Sequence, residues 1–181
     1  MDPAGAAEVL ARLVRDVPDF PEPGIVFKDI TPLLAAPEEF AVIVAALAAA
    51  GRDADGTLAV DKVAGMEARG FILAAPVALH LGVGFVPVRK PGKLPGDTHA
   101  VSYALEYGEA TLEVRHDAFA PGERVLLVDD VLATGGTAAA TADLVRRCGA
   151  VPVGLAVLMD LAFLDGRAVL DGLPLTSLTT L

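Results

Sequence analysis

The densest chemistry in the chain lies in the run Val125-Leu126-Leu127-Val128-Asp129-Asp130-Val131-Leu132-Ala133-Thr134-Gly135-Gly136-Thr137. Four aliphatic residues read as a buried strand that ends in two adjacent carboxylates. A small, hydroxyl-bearing, glycine-rich turn follows, and a helix begins at Thr137. In open α/β sheets, ligands bind beyond the carboxyl ends of the strands. Gly135 and Gly136 lack a Cβ, so their backbone N–H groups can approach a ligand closely. The helix N-terminus adds unpaired donors and a dipole that favours an anion, and the Thr134 and Thr137 hydroxyls add more. A phosphate monoester suits Ala133, Thr134, Gly135, Gly136 and Thr137. Asp129 and Asp130 would repel that phosphate if they faced it. They suit instead the vicinal hydroxyls of a sugar, and they can help hold a divalent cation.

Two other readings compete. A Walker-B strand end would need a G-x-x-x-x-G-K-[ST] cradle, and the sequence has none. A purely structural turn leaves two side-by-side carboxylates at a buried strand end without a use. A second group of candidates is cationic: Arg69, Arg89, Lys90 and Lys93 fall in one short stretch. Such a group can neutralise a polyanionic leaving group, and a divalent metal assists in the same way. Pro91 to Ser102, with Pro91, Gly92, Pro95 and Gly96, reads as a mobile polar loop able to close over a water-sensitive intermediate.

These residues need a scaffold. Helical spacing of apolar residues from Ala6 to Val17 predicts an N-terminal helix. Three prolines and a glycine between Pro18 and Gly24 exclude regular structure there. Glu38 to Ala50 reads as a helix, Leu58 to Ala64 as a strand, Phe71 to Leu81 as a helix and Phe85 to Arg89 as a strand. Tyr103–Tyr107 and Ala110–Val114 flank Gly108 as a hairpin. Val125–Val128, Val151–Met159 and Leu175–Leu178 read as strands, and Thr137–Cys148 as a helix. Strands alternating with helices indicate an α/β fold with an open, mostly parallel twisted sheet flanked by helices. Residues 1–181 read as one domain.

Four segments, in order, resemble the adenine phosphoribosyltransferases, a branch of the type I phosphoribosyltransferases. The first run is similar to that superfamily's phosphoribosyl-pyrophosphate signature. Gly24-Ile25-Val26-Phe27-Lys28-Asp29-Ile30-Thr31-Pro32 resembles the N-terminal base-binding hood. Gly65-Met66-Glu67-Ala68-Arg69-Gly70-Phe71 resembles the pyrophosphate loop. Arg89-Lys90-Pro91-Gly92-Lys93, with Tyr103-Ala104-Leu105-Glu106-Tyr107-Gly108, resembles the flexible catalytic loop. The likeness spans about Pro18 to Leu170.

The resemblance implies roles. Phe27 would stack on adenine, while backbone groups of Val26 and Lys28 read its amino edge. Glu106 would serve as acid/base or hold the purine, with Arg69 and Lys93 as its catalytic companions. Glu67, Ala68, Arg69, Arg89, Lys90 and Lys93 would bind pyrophosphate, and the Glu67–Ala68 peptide is a candidate for the cis form. Mg2+ would be held mainly through substrate and water, with Asp129 and Asp130 as the protein's own candidates. Implied partners are adenine, phosphoribosyl pyrophosphate, AMP, pyrophosphate and a second copy in a homodimer. Read without the resemblance, Phe27 is an ordinary core residue and Glu106 a solvent-facing carboxylate. Asp160 stands where many relatives carry Glu, the C-terminus is shorter than in many, and residues 97–102 differ in detail.

Composition bounds the alternatives. Lys+Arg of 14 against Asp+Glu of 24 gives a net charge of -10, which opposes general nucleic-acid binding. That balance, and the absence of spare length for a DNA-binding module, argue against a phosphoribosyl-pyrophosphate-sensing regulator. A transferase for guanine, xanthine or orotate is the nearer rival. Punctuated apolar runs argue against a membrane span, and the start of the chain carries acidic Asp2 and Glu8 rather than a basic leader. The cytoplasm is the expected compartment. Cys148, the single cysteine, reads as a packing residue, and His80, His99 and His116 lack metal-ligand spacing.

Overall fold

The computed structural model describes residues 3–104 and 108–181. Helix α1 (Pro3–Leu13) leads into a two-stranded antiparallel ribbon, β1 (Arg15–Pro18) with β2 (Val26–Asp29). Short α2 (Thr31–Leu34) and α3 (Pro37–Ala48) follow, then β3 (Lys62–Met66), α4 (Arg69–Leu81) and β4 (Gly84–Val88). A hairpin, β5 (Thr98–Ala104) and β6 (Glu109–Arg115), precedes β7 (Arg124–Leu132), α5 (Gly136–Arg147), β8 (Val151–Asp160) and β9 (Leu175–Thr180).

The main sheet has the order β4-β3-β7-β8-β9, and every pairing in it is parallel. Both faces are covered, which is why the strands read as continuous aliphatic runs rather than alternating ones. Side chains still alternate between two cores. Val125 and Leu127 join Met66, Val88, Leu155 and the inner face of α5. Leu126 and Val128 join Leu10, Leu33, Ile43 and Leu73 from the first four helices.

This order creates the ligand crevice. From β3 the chain runs through α4 outward to β4, whereas from β7 it runs through α5 in the other direction to β8. The carboxyl ends of β3 and β7 therefore flank a topological switch point. Pairing between them stops at Gly65↔Val128, while β7 stays paired with β8 as far as Leu132↔Asp160. Asp129 and Asp130 thus lie within β7, not past its tip as the sequence suggests. β8 supplies the backbone partners that carry the strand four residues further.

Other boundaries also move. The first helix stops at Leu13 rather than Val17, because residues 15–18 pair in register with Val26–Asp29. The strand expected at Leu58 begins at Lys62. Of the expected 91–102 loop, Thr98–Ser102 is strand, paired with Thr111–Arg115. Seven matched backbone partners from Thr98 to Ala104 outweigh the polar composition of that segment.

Candidate active site

The turn after β7 forms a small cradle of about 70 Å³, lined by Asp129, Ala133, Thr134, Gly135, Gly136 and Thr137 among others. Gly135 caps α5 with φ at 81°, a left-handed value, and no side chain caps the helix. The first backbone donors of α5 are left for a ligand, as an anion site requires. All five phosphate-loop residues named from sequence meet here. The Thr137 hydroxyl also lies 2.9 Å from the Tyr103 hydroxyl on β5, which ties the hairpin to the cradle.

Next to the cradle is an open cleft of about 470 Å³. Its floor holds Asp129 and Asp130, and its walls include Val26, Phe27, Lys28, Glu67, Ala68 and Arg69. The Asp130 N–H donates to Asp129 Oδ1 at 2.9 Å. Burial, and then the charge of Asp130, push the Asp129 carboxyl well above the usual carboxylate range. Burial also raises Asp130, opposed by the Arg69 guanidinium, whose Nε lies 2.8 Å from Asp130 Oδ2. A hydroxyl donor or a cation arriving at this floor would relieve two crowded acids. Among the described residues no cluster of three or more His, Cys, Asp or Glu side chains is placed to hold a metal alone. Two carboxylates fit a magnesium ion whose remaining ligands are substrate oxygens and water.

The hood supplies the aromatic wall. β2 is paired on one side only, so its other edge keeps free backbone donors and acceptors. The Asp29 carboxylate accepts the Thr31 backbone N–H at 2.9 Å and the Thr31 hydroxyl at 2.7 Å, which fixes the exit of β2. Lys28 Nζ is spent on Asp16 at 2.7 Å, leaving its backbone for the cleft. The Arg69 guanidinium carbon sits 4.6 Å from the centre of the Phe27 ring, and Arg69 also points an N–H at the Lys28 carbonyl, 3.4 Å away. Arg69 therefore stands on the aromatic side of the cleft, apart from the other cations.

Two of those cations, Arg89 and Lys93, gather on Glu67, which the Lys90 backbone also meets. Arg89 Nε lies 3.3 Å and Lys93 Nζ 3.7 Å from its carboxylate, and the Lys90 N–H donates to it at 2.9 Å. That backbone hydrogen bond, with the charges of Arg89 and Lys93, lowers the Glu67 carboxyl despite its burial. Its acid group thus organises the cations, and its backbone leads into Ala68. The Glu67–Ala68 peptide is cis, as the resemblance implies.

Glu106 lies outside the described residues. The sequence carries no sign of Leu161 and Leu164, which line the cleft beside the hood. Nor did it point to Gly70, where a Cβ would come within 2.9 Å of Asp129 Oδ1 and of the Val128 carbonyl. A lone apolar residue after a strand, or a glycine in a helix's first turn, carries no pattern of its own. His99 and His116 stack with ring centres 4.6 Å apart, and neither lines the cleft.

A family model described as a phosphoribosyl transferase domain matches residues 32–167. An adenine phosphoribosyltransferase from a Nocardioides species is 69% identical over 176 residues, covering 97% of this chain and 95% of that protein. The crystal structure of adenine phosphoribosyltransferase from Rhodothermus marinus is 51% identical with a TM-score of 0.90, covering 98% of this chain and 99% of the other. That of the Saccharomyces cerevisiae enzyme, complexed with an imino-altritol bisphosphate and adenine, is 39% identical with a TM-score of 0.92, covering 97% of this chain and 99% of the other.

Proposed function

The chain belongs to the adenine phosphoribosyltransferase branch of the phosphoribosyltransferase family, and from that premise we propose how its cleft works. The enzyme is a pentosyltransferase of purine salvage: adenine and 5-phosphoribosyl 1-pyrophosphate give AMP and pyrophosphate.

The 5′-phosphate of the donor sits in the Ala133–Thr137 cradle, and Asp129 and Asp130 accept the ribose hydroxyls. The adenine ring lies against Phe27. Its amino edge meets the free edge of β2 at Val26 and Lys28, and Leu161 and Leu164 close the apolar side. Arg69 was expected on pyrophosphate. Its contact with Phe27 and its ion pair with Asp130 support a different station, between base and ribose. Arg89, Lys90 and Lys93 take the pyrophosphate, exchanging the Glu67 carboxylate for the stronger polyanion. Fixed cations at the departing group stabilise charge that grows in the transition state. N9 of adenine attacks C1′ from the face opposite pyrophosphate, and that centre inverts. Glu106 serves as the acid/base beside the purine. Magnesium, when bound, adds further charge neutralisation on the pyrophosphate oxygens, with Asp129 and Asp130 as the residues that would hold it.

The observation that carries this reading is the continuity of one cleft from Phe27 through the twin acids to Thr137. The test is AMP formation from adenine, with guanine and hypoxanthine as controls. Turnover of adenine alone is expected, and a preference for either control would refute the base assignment.

The wider reading is of one catalytic unit across residues 1–181, working in the cytoplasm as a homodimer. None of the described helices is long and apolar enough to cross a membrane. The dimer is supported by the outer face of α4, where Ile72 and Leu79 are both exposed.

A further inference from the structure

Asp160 ends β8, is fully buried, and has no part in the chemistry above. Its Oδ2 accepts a hydrogen bond from Arg167 Nε at 2.6 Å. Its Oδ1 has no partner among the described residues. A buried carboxylate held by one cation, with an oxygen left over, is a weak way to stabilise a fold. An apolar residue of similar volume would serve a core at least as well. The arrangement therefore calls for another explanation, and its neighbours supply one.

Arg167 belongs to the short 3₁₀ turn Gly166–Val169. That turn presses directly on the cradle. A Cβ at Gly166 would overlap the Ala133 carbonyl, and a Cβ at Gly135 would overlap both the Gly166 carbonyl and the Val169 side chain. Two glycine backbones touch because neither carries a side chain. Asp160 is itself paired with Leu132, the last residue before the cradle, and the Leu161 N–H donates to the Leu132 carbonyl at 2.9 Å. One acid thus joins the strand that enters the phosphate loop to the turn that braces it from outside. An Ala-Thr-Gly-Gly segment has little of its own to fix it, since glycine has the most backbone freedom to lose.

We propose that Asp160 and Arg167 are positioning residues for donor binding: their ion pair clamps the Gly166–Val169 turn against Ala133–Gly135 and so aims the cradle's donors at the 5′-phosphate. The inference rests on reading Ala133–Thr137 as the phosphate anchor. It concerns chiefly the donor, because the clamped Gly166–Val169 turn presses on the cradle, whereas Leu161 and Leu164 of the same segment only border the hood.

Arg167 has a side chain more than half exposed, so Arg167→Ala disturbs little packing, although it leaves the buried Asp160 carboxylate without its cation and should lower the melting temperature. The test measures both KM values, and titrates AMP against adenosine, which lacks only the phosphate. Arg167→Ala is expected to raise KM for phosphoribosyl pyrophosphate by roughly tenfold and weaken AMP to match, with adenine KM and adenosine affinity unchanged. Arg167→Lys and Asp160→Glu, made singly in the parent, each keep an ion pair and should lose less donor affinity than Arg167→Ala. Thr137→Ala, inside the cradle, reports on the premise. If Thr137→Ala weakens AMP but not adenosine while Arg167→Ala does neither, the clamp is refuted and the anchor stands. A lower melting temperature in Arg167→Ala with both KM values unchanged also refutes it, leaving a structural ion pair. If Thr137→Ala affects AMP and adenosine equally, the anchor reading fails and the clamp with it.

Discussion

Two side chains on the cleft floor and wall separate stability from function most sharply. Burial and the charge of Asp130 raise the Asp129 carboxyl well above its ordinary value of 3.8. The folded protein therefore holds this proton at pH values where the unfolded chain has released it. Stability falls as pH climbs from the ordinary value through the raised one, and the loss persists above it. Asp129→Asn removes that dependence. Its urea midpoint should exceed the parent's at about pH 8 and approach it toward about pH 4, while AMP formation collapses for want of the carboxylate charge and its second acceptor oxygen. A parent that gained stability over the same rise relative to Asp129→Asn would contradict the burial argument. On the wall, Phe27→Ala should raise adenine KM by roughly tenfold or more, since stacking on an aromatic ring is worth about 1–3 kcal/mol per base. Arg69→Ala should raise adenine KM as well. Unlike Phe27→Ala, it also leaves Asp130 without its cation, at a cost of about 2 kcal/mol in urea unfolding. An Arg69→Ala variant impaired toward pyrophosphate alone would return Arg69 to the station first read from sequence.

At the level of strands and helices, the cleft depends on how closely α4 approaches β7. A Cβ at Gly70 would press on Asp129 and on the Val128 carbonyl, so Gly70→Ala must move the first turn of α4, which carries Arg69. A loss of about 2 kcal/mol in urea unfolding is expected, together with a raised KM for both substrates. Gly82 is the control: it ends the same helix at φ 73° with nothing within 4 Å. Gly82→Ala should cost about 1 kcal/mol through backbone strain alone and leave both KM values unchanged. Equal kinetic effects from the two variants would show that the approach of α4 does not set the site. The contrast also explains what the sequence could disclose. Val125–Val128, the twin acids and the glycine turn were legible because aliphatic run, charge and glycine follow one another along the chain. Helix-forming and strand-forming periods likewise announced the α/β order. The extension of β7 to Leu132, the strand at Thr98–Ser102 and the ribbon at Arg15–Pro18 were not legible, because each is fixed by its pairing with another strand rather than by its own composition. Leu161, Gly166 and Arg167 were silent for the same reason. Their meaning lies in what they touch across the sheet's edge.

For the whole molecule, charge and exposed apolar surface point to different partners. A net charge of -10 leaves no general attraction for a nucleic-acid backbone, which fits the proposal that the cations near Glu67 serve a local polyanion. The apolar surface is more telling. Leu79 is 82% exposed on α4, and Ile72, two turns earlier on the same helix face, is 46% exposed. Large aliphatic residues aligned on one face of a helix are a usual sign of a surface that meets protein rather than water. The other end of that helix carries Phe71, which packs edge-to-face on Phe85 and lies under the Arg89 guanidinium at 5.7 Å. A second copy seated on this face would press on the helix that begins at Arg69 and whose Phe71 lies under Arg89. Leu79→Lys places a charge in the middle of that contact and leaves the buried side of α4 untouched. If this face is the dimer contact proposed above, sedimentation should report a dimer for the parent and a monomer for Leu79→Lys, with the parent's thermal midpoint concentration-dependent through the same equilibrium. The monomer should retain its fold by circular dichroism and show a raised KM for both substrates, because α4 carries Arg69 at the base side and its Phe71 packs under Arg89 at the pyrophosphate side. A Leu79→Lys protein that sediments as the parent does would place the dimer contact elsewhere.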